Sequence, residues 1–178
     1  MRTRPVIAVL VLALLAIGLP QAFAQDKPAP ASPPAQASAK IGAATVTIDY
    51  ARPSIRGRKI MGGLVPFDKV WRTGANAATT LKTDAALEIG GVAVPAGTYT
   101  IYTLPGEKAW KLIINKQTGQ WGTQYDQAQD HARIDLKVES IPQPVELFTI
   151  TLAGTGAKAG LLSMEWESTK LSVPFVVK

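Results

Sequence analysis

Arginine is concentrated in one stretch of this 178-residue chain. Within residues 52–80 stand Arg52, Arg56, Arg58, Lys59 and Arg72, a cationic cluster opposed by Asp68. A guanidinium donates two parallel hydrogen bonds in a fixed fork, which suits carboxylate, phosphate or sulfate. Pro66 is followed by Trp71-Arg72-Thr73-Gly74-Ala75-Asn76, so an aromatic plate, a cation, a hydroxyl and an amide share one loop. That grouping offers recognition of an anionic or sugar-like ligand: Arg72, Thr73 and Asn76 supply polar contacts, Arg56 and Arg58 add charge, and Trp71, Trp121 and Tyr102 supply stacking surfaces. The same residues admit a structural account. Arg72 and Asn76 would then tie loop carbonyls together while Trp71 fills the core, because buried polar groups must be satisfied in any fold.

Templates for catalysis find little support. His131 is the sole histidine and cysteine is absent, so multi-histidine and thiolate metal sites are excluded, and no cofactor or transition metal is expected. His131, with Asp130 beside it and Asp126 nearby, could act as a lone base, but such a role needs geometry first; it reads as an exposed loop residue. No Gly-x-Ser-x-Gly elbow is present. Residues 57–63 begin and end in glycine, yet Gly63 and Leu64 stand where a phosphate loop requires Lys and Ser or Thr. Glu165 and Glu167 share a strand face, whereas glycosidase carboxylates must flank a bond across a cleft.

The elements that must position the arginine loop follow from the rest of the chain. Arg2 and Arg4, the apolar run over residues 6–19 and the small-x-small pattern Ala22-Phe23-Ala24 predict a secretory signal peptide over residues 1–24. The run is too short for a membrane span, which needs roughly 20 apolar residues. Export to the periplasm or the extracellular space is expected, with no transmembrane segment after processing. The 19 basic residues less Arg2 and Arg4 leave 17 against 13 acidic ones, a net +4 for the processed chain. That excess is mild, and no nucleic-acid partner is expected in that compartment. Residues 25–40, rich in Pro, Ala, Ser and Gln, are read as a disordered linker, because they offer little apolar surface to offset ordering entropy.

Residues 41–178 then read as a single domain dominated by period-two alternation, the mark of strands with one buried face. Val46, Ile48 and Tyr50 alternate with polar residues, as do Ile134, Leu136 and Val138. Trp110-x-Leu112-x-Ile114, Phe148-x-Ile150-x-Leu152, Leu162-x-Met164-x-Trp166 and Leu171-x-Val173-x-Phe175-x-Val177 repeat the pattern, and Pro174 places the last of them at an edge or bulge. Gly90-Gly91 between Leu87-Glu88-Ile89 and Val92-Ala93-Val94 signals a two-residue hairpin. Residues 123–130 could form one polar helical turn. The expectation is an all-β antiparallel sandwich or jelly roll of about eight or nine strands, with an up-and-down barrel as the alternative.

Several of these pieces together resemble domain-of-unknown-function family 2911. They are Gly57-Arg58-Lys59-Ile60, Gly63-Leu64-Val65-Pro66, Trp71-Arg72-Thr73-Gly74-Ala75-Asn76 with Thr79-Thr80, Pro95-Ala96-Gly97-Thr98-Tyr99, Asn115 and Trp121-Gly122. The resemblance covers residues 43–152 and implies an exported bacterial β-sandwich of no known activity, so it carries over no catalytic residue. In the family pattern an acidic residue often follows the Asn, and here that position is Ala77.

Three functions compete. The leading reading is a binding module for an anionic or carbohydrate-like envelope ligand held by the loop at residues 52–80. The alternative is a structural or protein-interaction envelope protein whose partner is another protein. A hydrolase using Arg72 and Asn76, with His131 as a further candidate, comes third, because its motifs are missing.

Overall fold

The computed structural model describes residues 30–178. The expected signal peptide and the first part of the expected linker lie outside them. Nine strands form one antiparallel sheet: β1 (Pro34–Ile41), β2 (Ala44–Ala51), β3 (Thr80–Thr83), β4 (Leu87–Ile89), β5 (Val92–Val94), β6 (Gly97–Leu104), β7 (Trp110–Asn115), β8 (Asp130–Gly154) and β9 (Ala159–Val177). Their order across the sheet is β1-β2-β3-β6-β7-β8-β9-β4-β5. The all-β antiparallel expectation holds. Its two layers, however, belong to one sheet folded back on itself rather than to two sheets.

The fold-back depends on two long strands. Asp130 to Leu136 of β8 pair with β7, and Lys137 to Gly154 pair with β9. Pairing is irregular between Ser140 and Thr149, where Pro142 and Pro144 withhold amide donors and bend the strand. Two strands expected from sequence, around Ile134 and around Ile150, are thus one. After β2 the chain meets the middle of β8: Ile55 N–H donates to Glu146 O at 3.0 Å and Phe148 N–H to Pro53 O at 2.9 Å. Tyr50, at the end of β2, donates to Ile150 O at 3.4 Å and accepts from Ile150 N–H at 3.0 Å. One apolar core lies between the layers, containing Val46, Ile48, Ile101, Leu112, Ile134, Phe148, Met164, Trp166 and Phe175.

Gly90 and Gly91 turn the β4–β5 hairpin with φ of 53° and 85°, the left-handed conformation a two-residue turn requires. A side chain at Gly90 would also strike Ile134, at 2.5 Å.

The linker expectation fails for its second half. Pro34 to Lys40 belong to β1, which pairs with β2 from Pro34↔Ala51 to Ile41↔Ala44. The inward stripe is Ala35, Ala37, Ala39 and Ile41, small enough to escape a reading that sought large apolar side chains, while period two was there throughout. Pro34 is tolerated because β1 lies at an edge and Pro34 is its first residue.

The outer face of β6 and β7 is covered too. Thr100, Tyr102, Ile113 and Asn115 share that face and are buried, although they lie opposite the core. The cover is the loop at residues 116–129, pinned by Thr100 Oγ1 donating to Gln117 O at 2.7 Å, Tyr102 OH to Gln124 O at 3.2 Å and Asn115 Nδ2 to Asp126 O at 2.8 Å. The helical turn expected at residues 123–130 is a short 3-10 turn over Gln127–Gln129, capped by Asp126, which accepts from Ala128 N–H at 2.9 Å.

If β1 is part of the fold, deletion through Ile41 removes eight strand residues and uncovers β2. Thermal unfolding should then drop by more than about 5 °C relative to a chain beginning at Gln25. Equal melting temperatures would restore the tether reading.

Candidate functional site

Four of the sequence-predicted residues, Arg58, Trp71, Arg72 and Tyr102, line one open cleft of about 420 Å³. Its construction begins at Trp71, which exchanges two backbone hydrogen bonds with Thr103 of β6, at 2.8 and 3.0 Å. So anchored, the Trp71 ring stacks on Trp166 at 5.6 Å and meets Phe148 edge-on at 5.1 Å. It is half-buried, at once a core aromatic and a wall of the cleft.

Arg72 leaves this anchor with a single hydrogen bond, from Nε to Gly74 O at 3.1 Å. Its Nη1 and Nη2 have no partner among the described residues. The stem lies over Gly122, where an added Cβ would come within 2.8 Å of Arg72 Cδ and 2.9 Å of Asn76 O. Gly122 N–H in turn donates to Asn76 O at 2.9 Å, and Ala78 N–H donates to Gln120 O at 3.2 Å, joining the Arg72 loop to the loop covering β6 and β7. Gly122 therefore sets the position of the guanidinium.

Arg58, also on the cleft, is exposed. Its Nε donates to Ile55 O at 3.0 Å and its Nη2 to Ser54 O at 2.6 Å. The turn that carries it is anchored by Ile60 and Val65, both fully buried, and by Glu167, which accepts from Ile60 N–H at 3.5 Å and Met61 N–H at 3.4 Å. Leu64 projects between them and stays 46% exposed on the cleft. Arg58 and Arg72 are the charged side chains on the cleft wall, and no carboxylate joins them there among the described residues.

The other predicted contacts sit elsewhere. Thr73 is fully buried with φ of 52°, its hydroxyl 3.3 Å from both Trp71 O and Thr103 Oγ1, so it holds the loop rather than a ligand. Asn76 is exposed with φ of 62°, a conformation Asn tolerates better than other side-chain-bearing residues; it turns the loop and does not line the cleft. Arg56 lies outside the cleft and donates from Nη2 to Ala31 O at 3.2 Å. Trp121 is 52% exposed next to Gly122, but its ring is not part of the wall. His131 bonds through Nε2 to Ala93 O at 2.9 Å and is likewise not part of the cleft.

Sequence reasoning missed Trp166 and Tyr125. Trp166 reads as one more inward residue of a strand, and its Nε1 donates to Glu146 O at 3.2 Å. Tyr125 lies in a polar stretch where a lone aromatic was the only signal. Its ring packs edge-on against Tyr102 at 4.9 Å, and its hydroxyl donates to Asp130 Oδ2 at 2.6 Å while accepting from Arg133 Nη2 at 2.8 Å. Asp130 also accepts from Arg133 Nε at 2.9 Å and, through Oδ1, from Asn115 Nδ2 at 2.9 Å. Burial, reinforced by the Asp130 carboxylate, pushes the Tyr125 hydroxyl up to about 12. Burial raises the Tyr102 hydroxyl as well. Both phenols are therefore neutral and engaged within the protein. A second hollow of about 480 Å³, beside Ile41, Lys158 and Lys178, contains none of the predicted residues.

Fold and cleft together define an all-β antiparallel protein with one cation-lined, aromatic-walled cleft at the mouth of its folded sheet. The chain belongs to the family described as "Protein of unknown function (DUF2911)", which it matches over residues 32–175. The match extends past the expected 43–152 on both sides and takes in β1 and most of β9. No curated protein and no solved structure is found to match the chain. Among the described residues, no helix is long and apolar enough to cross a membrane.

Two measurements test these local assignments. Asn76→Ala should cost about 1–2 kcal/mol through its left-handed backbone, and Asn76→Gly much less. Arg72→Ala, which loses one hydrogen bond, should cost no more than about 1 kcal/mol. Thermal unfolding that ranked Arg72→Ala the most damaging would return Arg72 to a structural role. For Tyr125, the folded hydroxyl titrates above its ordinary 10.0, so its stabilising effect is complete below pH 10 and is lost as pH rises toward about 12. Unfolding free energy should thus fall over that window more steeply in the wild type than in Tyr125→Phe, and parallel curves would contradict the assignment.

Proposed function

We propose that this protein is an exported binding module that holds an anionic or carbohydrate-like ligand of the cell envelope in the Arg58–Arg72 cleft. The observation that carries the reading is Arg72: a guanidinium on a cleft wall, its stem fixed over Gly122, its Nε held by Gly74 O and both Nη groups free of protein partners among the described residues. An arginine serving only the fold would direct its fork at protein acceptors, as Arg52 does with the Phe148 carbonyl at 3.0 Å and the Thr149 hydroxyl at 2.7 Å. Cations with no opposing carboxylate raise the local concentration of anions, and aromatic walls add dispersion and stacking.

One observation favours a second reading. Trp121, 52% exposed beside the cleft, and Leu64, 46% exposed on it, are the kind of apolar surface that a protein partner covers. An envelope interaction protein would use the same mouth. Catalysis gains nothing from His131, which is held by Ala93 O away from the cleft.

The test is a thermal-shift titration of wild type and Arg72→Met with inorganic phosphate, galacturonate, N-acetylglucosamine and hexanoate. At least one of them should raise the wild-type melting temperature and leave Arg72→Met unmoved. Stabilisation of both proteins alike, or of neither, would overturn the binding reading. Export is checked on the same preparation, whose intact mass should place Gln25 at the N-terminus.

A further inference from the structure

We infer that the ligand of this cleft is a carboxylate with an apolar body, a short aliphatic chain or a single aromatic ring, rather than a polyol or a bare inorganic anion; the inference rests on the reading of the cleft as a binding site.

The wall chemistry decides the class. Apart from Arg58 and Arg72, the side chains that can hydrogen-bond outward are the hydroxyls of Ser32 and Thr123. Among the described residues, no Asp, Glu, Asn or Gln side chain reaches the wall. Sugars are held by such groups, because a carboxylate or an amide can serve two neighbouring hydroxyls at once. A polyol in this cleft would meet no side-chain carboxylate or amide among the described residues, and hydroxyls left unpaired weaken binding.

The aromatic residues do not make up the deficit. Tyr102 OH donates to Gln124 O at 3.2 Å and accepts from Gln120 Nε2 at 3.0 Å. Tyr125 OH sits between Asp130 and Arg133, at 2.6 and 2.8 Å. Trp166 Nε1 is bonded to Glu146 O. With its hydroxyl engaged behind the wall, Tyr125 presents ring carbon to the cleft beside the half-buried Trp71, each backed by a fully buried ring, Tyr102 and Trp166, and Pro66, Val70 and Leu64 extend the apolar surface. Leu64, nearly half exposed, is apolar area that a ligand body would cover.

The cationic end is equally selective. Arg72 keeps the Nη1–Nη2 edge free for a bidentate contact, whereas Arg58 has Nε and Nη2 engaged by Ile55 O and Ser54 O and keeps Nη1. The complete fork of Arg72 matches the two oxygens of a carboxylate, and Arg58 adds positive charge to the cleft. A volume of about 420 Å³ is at the lower end of small-molecule sites and takes one ring or a chain of a few carbons, not an oligosaccharide. Inorganic phosphate would meet the arginines and leave the apolar wall uncovered.

Hexanoate and gluconate make the matched comparison, since both are six-carbon carboxylates and gluconate carries hydroxyls along its chain. Phenylacetate distinguishes ring from chain, and inorganic phosphate tests charge alone. The signal is tryptophan fluorescence, because Trp71 lines the cleft and stacks on Trp166. Hexanoate or phenylacetate should bind the wild type at least tenfold more tightly than gluconate or phosphate, and Arg72→Leu should weaken that binding at least tenfold. Tyr125→Phe should bind as the wild type does, because its hydroxyl faces Asp130, while Tyr125→Ala should bind more weakly. Gluconate or phosphate binding as tightly as hexanoate, with Arg72 still required, would sink the ligand class and leave the site standing. Saturable binding of none of the four would sink both. Arg58→Leu is the second charge variant if Arg72→Leu fails to fold, and full affinity in it would count against the charge argument.

Discussion

Two backbone hydrogen bonds, Trp71 N–H to Thr103 O at 2.8 Å and Thr103 N–H to Trp71 O at 3.0 Å, graft the long connection between β2 and β3 onto β6. The cleft depends on that graft. It brings the Trp71 ring against Phe148 and Trp166, which belong to strands far along the chain, and it starts the turn from which Arg72 projects. Thr73, buried and in a left-handed conformation, completes the anchor: its hydroxyl faces Thr103, and its carbonyl accepts from Thr79 Oγ1 at 2.8 Å. A strained residue persists where its surroundings hold it in place, and here those surroundings are the sheet itself.

The opposite wall is built by covering a second face of the same strand. Tyr102 points away from the core yet is buried, because the loop at residues 116–129 lies over it and is fastened by Asn115, Thr100 and Tyr102 itself. Asp130, Arg133 and Tyr125 form a compact ion pair with a phenol inserted, in which the Tyr125 hydroxyl stays protonated at ordinary pH. That arrangement holds Tyr125 by its polar end and leaves its ring to the cleft. Gly122, where the two loops meet, admits the Arg72 stem and the Asn76 carbonyl together. Charge, ring faces and volume at the site are thus set by contacts made outside it.

Much of the fold was legible because it is written in period two. β2, β7 and the two halves each of β8 and β9 carry inward Val, Ile, Leu, Met or aromatic residues, and Gly90-Gly91 marks its hairpin plainly. β1 was not legible, since its inward stripe is alanine and its prolines and serines resemble a linker; what orders it is eight residues of pairing to β2, a tertiary effect. The joining of strands into β8 and β9 escaped for the opposite reason: Pro142 and Pro144 look like breaks, and the sheet tolerates them at irregular pairings. Of the candidates named from residue type, Arg58, Trp71, Arg72 and Tyr102 meet at one cleft. Thr73 and Asn76 were misread because a backbone conformation, φ of 52° and 62°, accounts for them better than their polar groups do. Trp166 and Tyr125 were missed because their place in the wall depends on which strands lie side by side, which residue type alone does not encode.

On the binding reading, the free edge of the Arg72 guanidinium receives an anion beside the exposed apolar side chains of the cleft. The most direct test of that reading is a crystal structure of the protein grown with hexanoate or phenylacetate. The carboxylate should lie within hydrogen-bonding distance of Arg72 Nη1 and Nη2, with the apolar body against Trp71, Tyr125 and Leu64. A ligand found elsewhere, or seated in the cleft with its carboxylate turned away from Arg72, would contradict it.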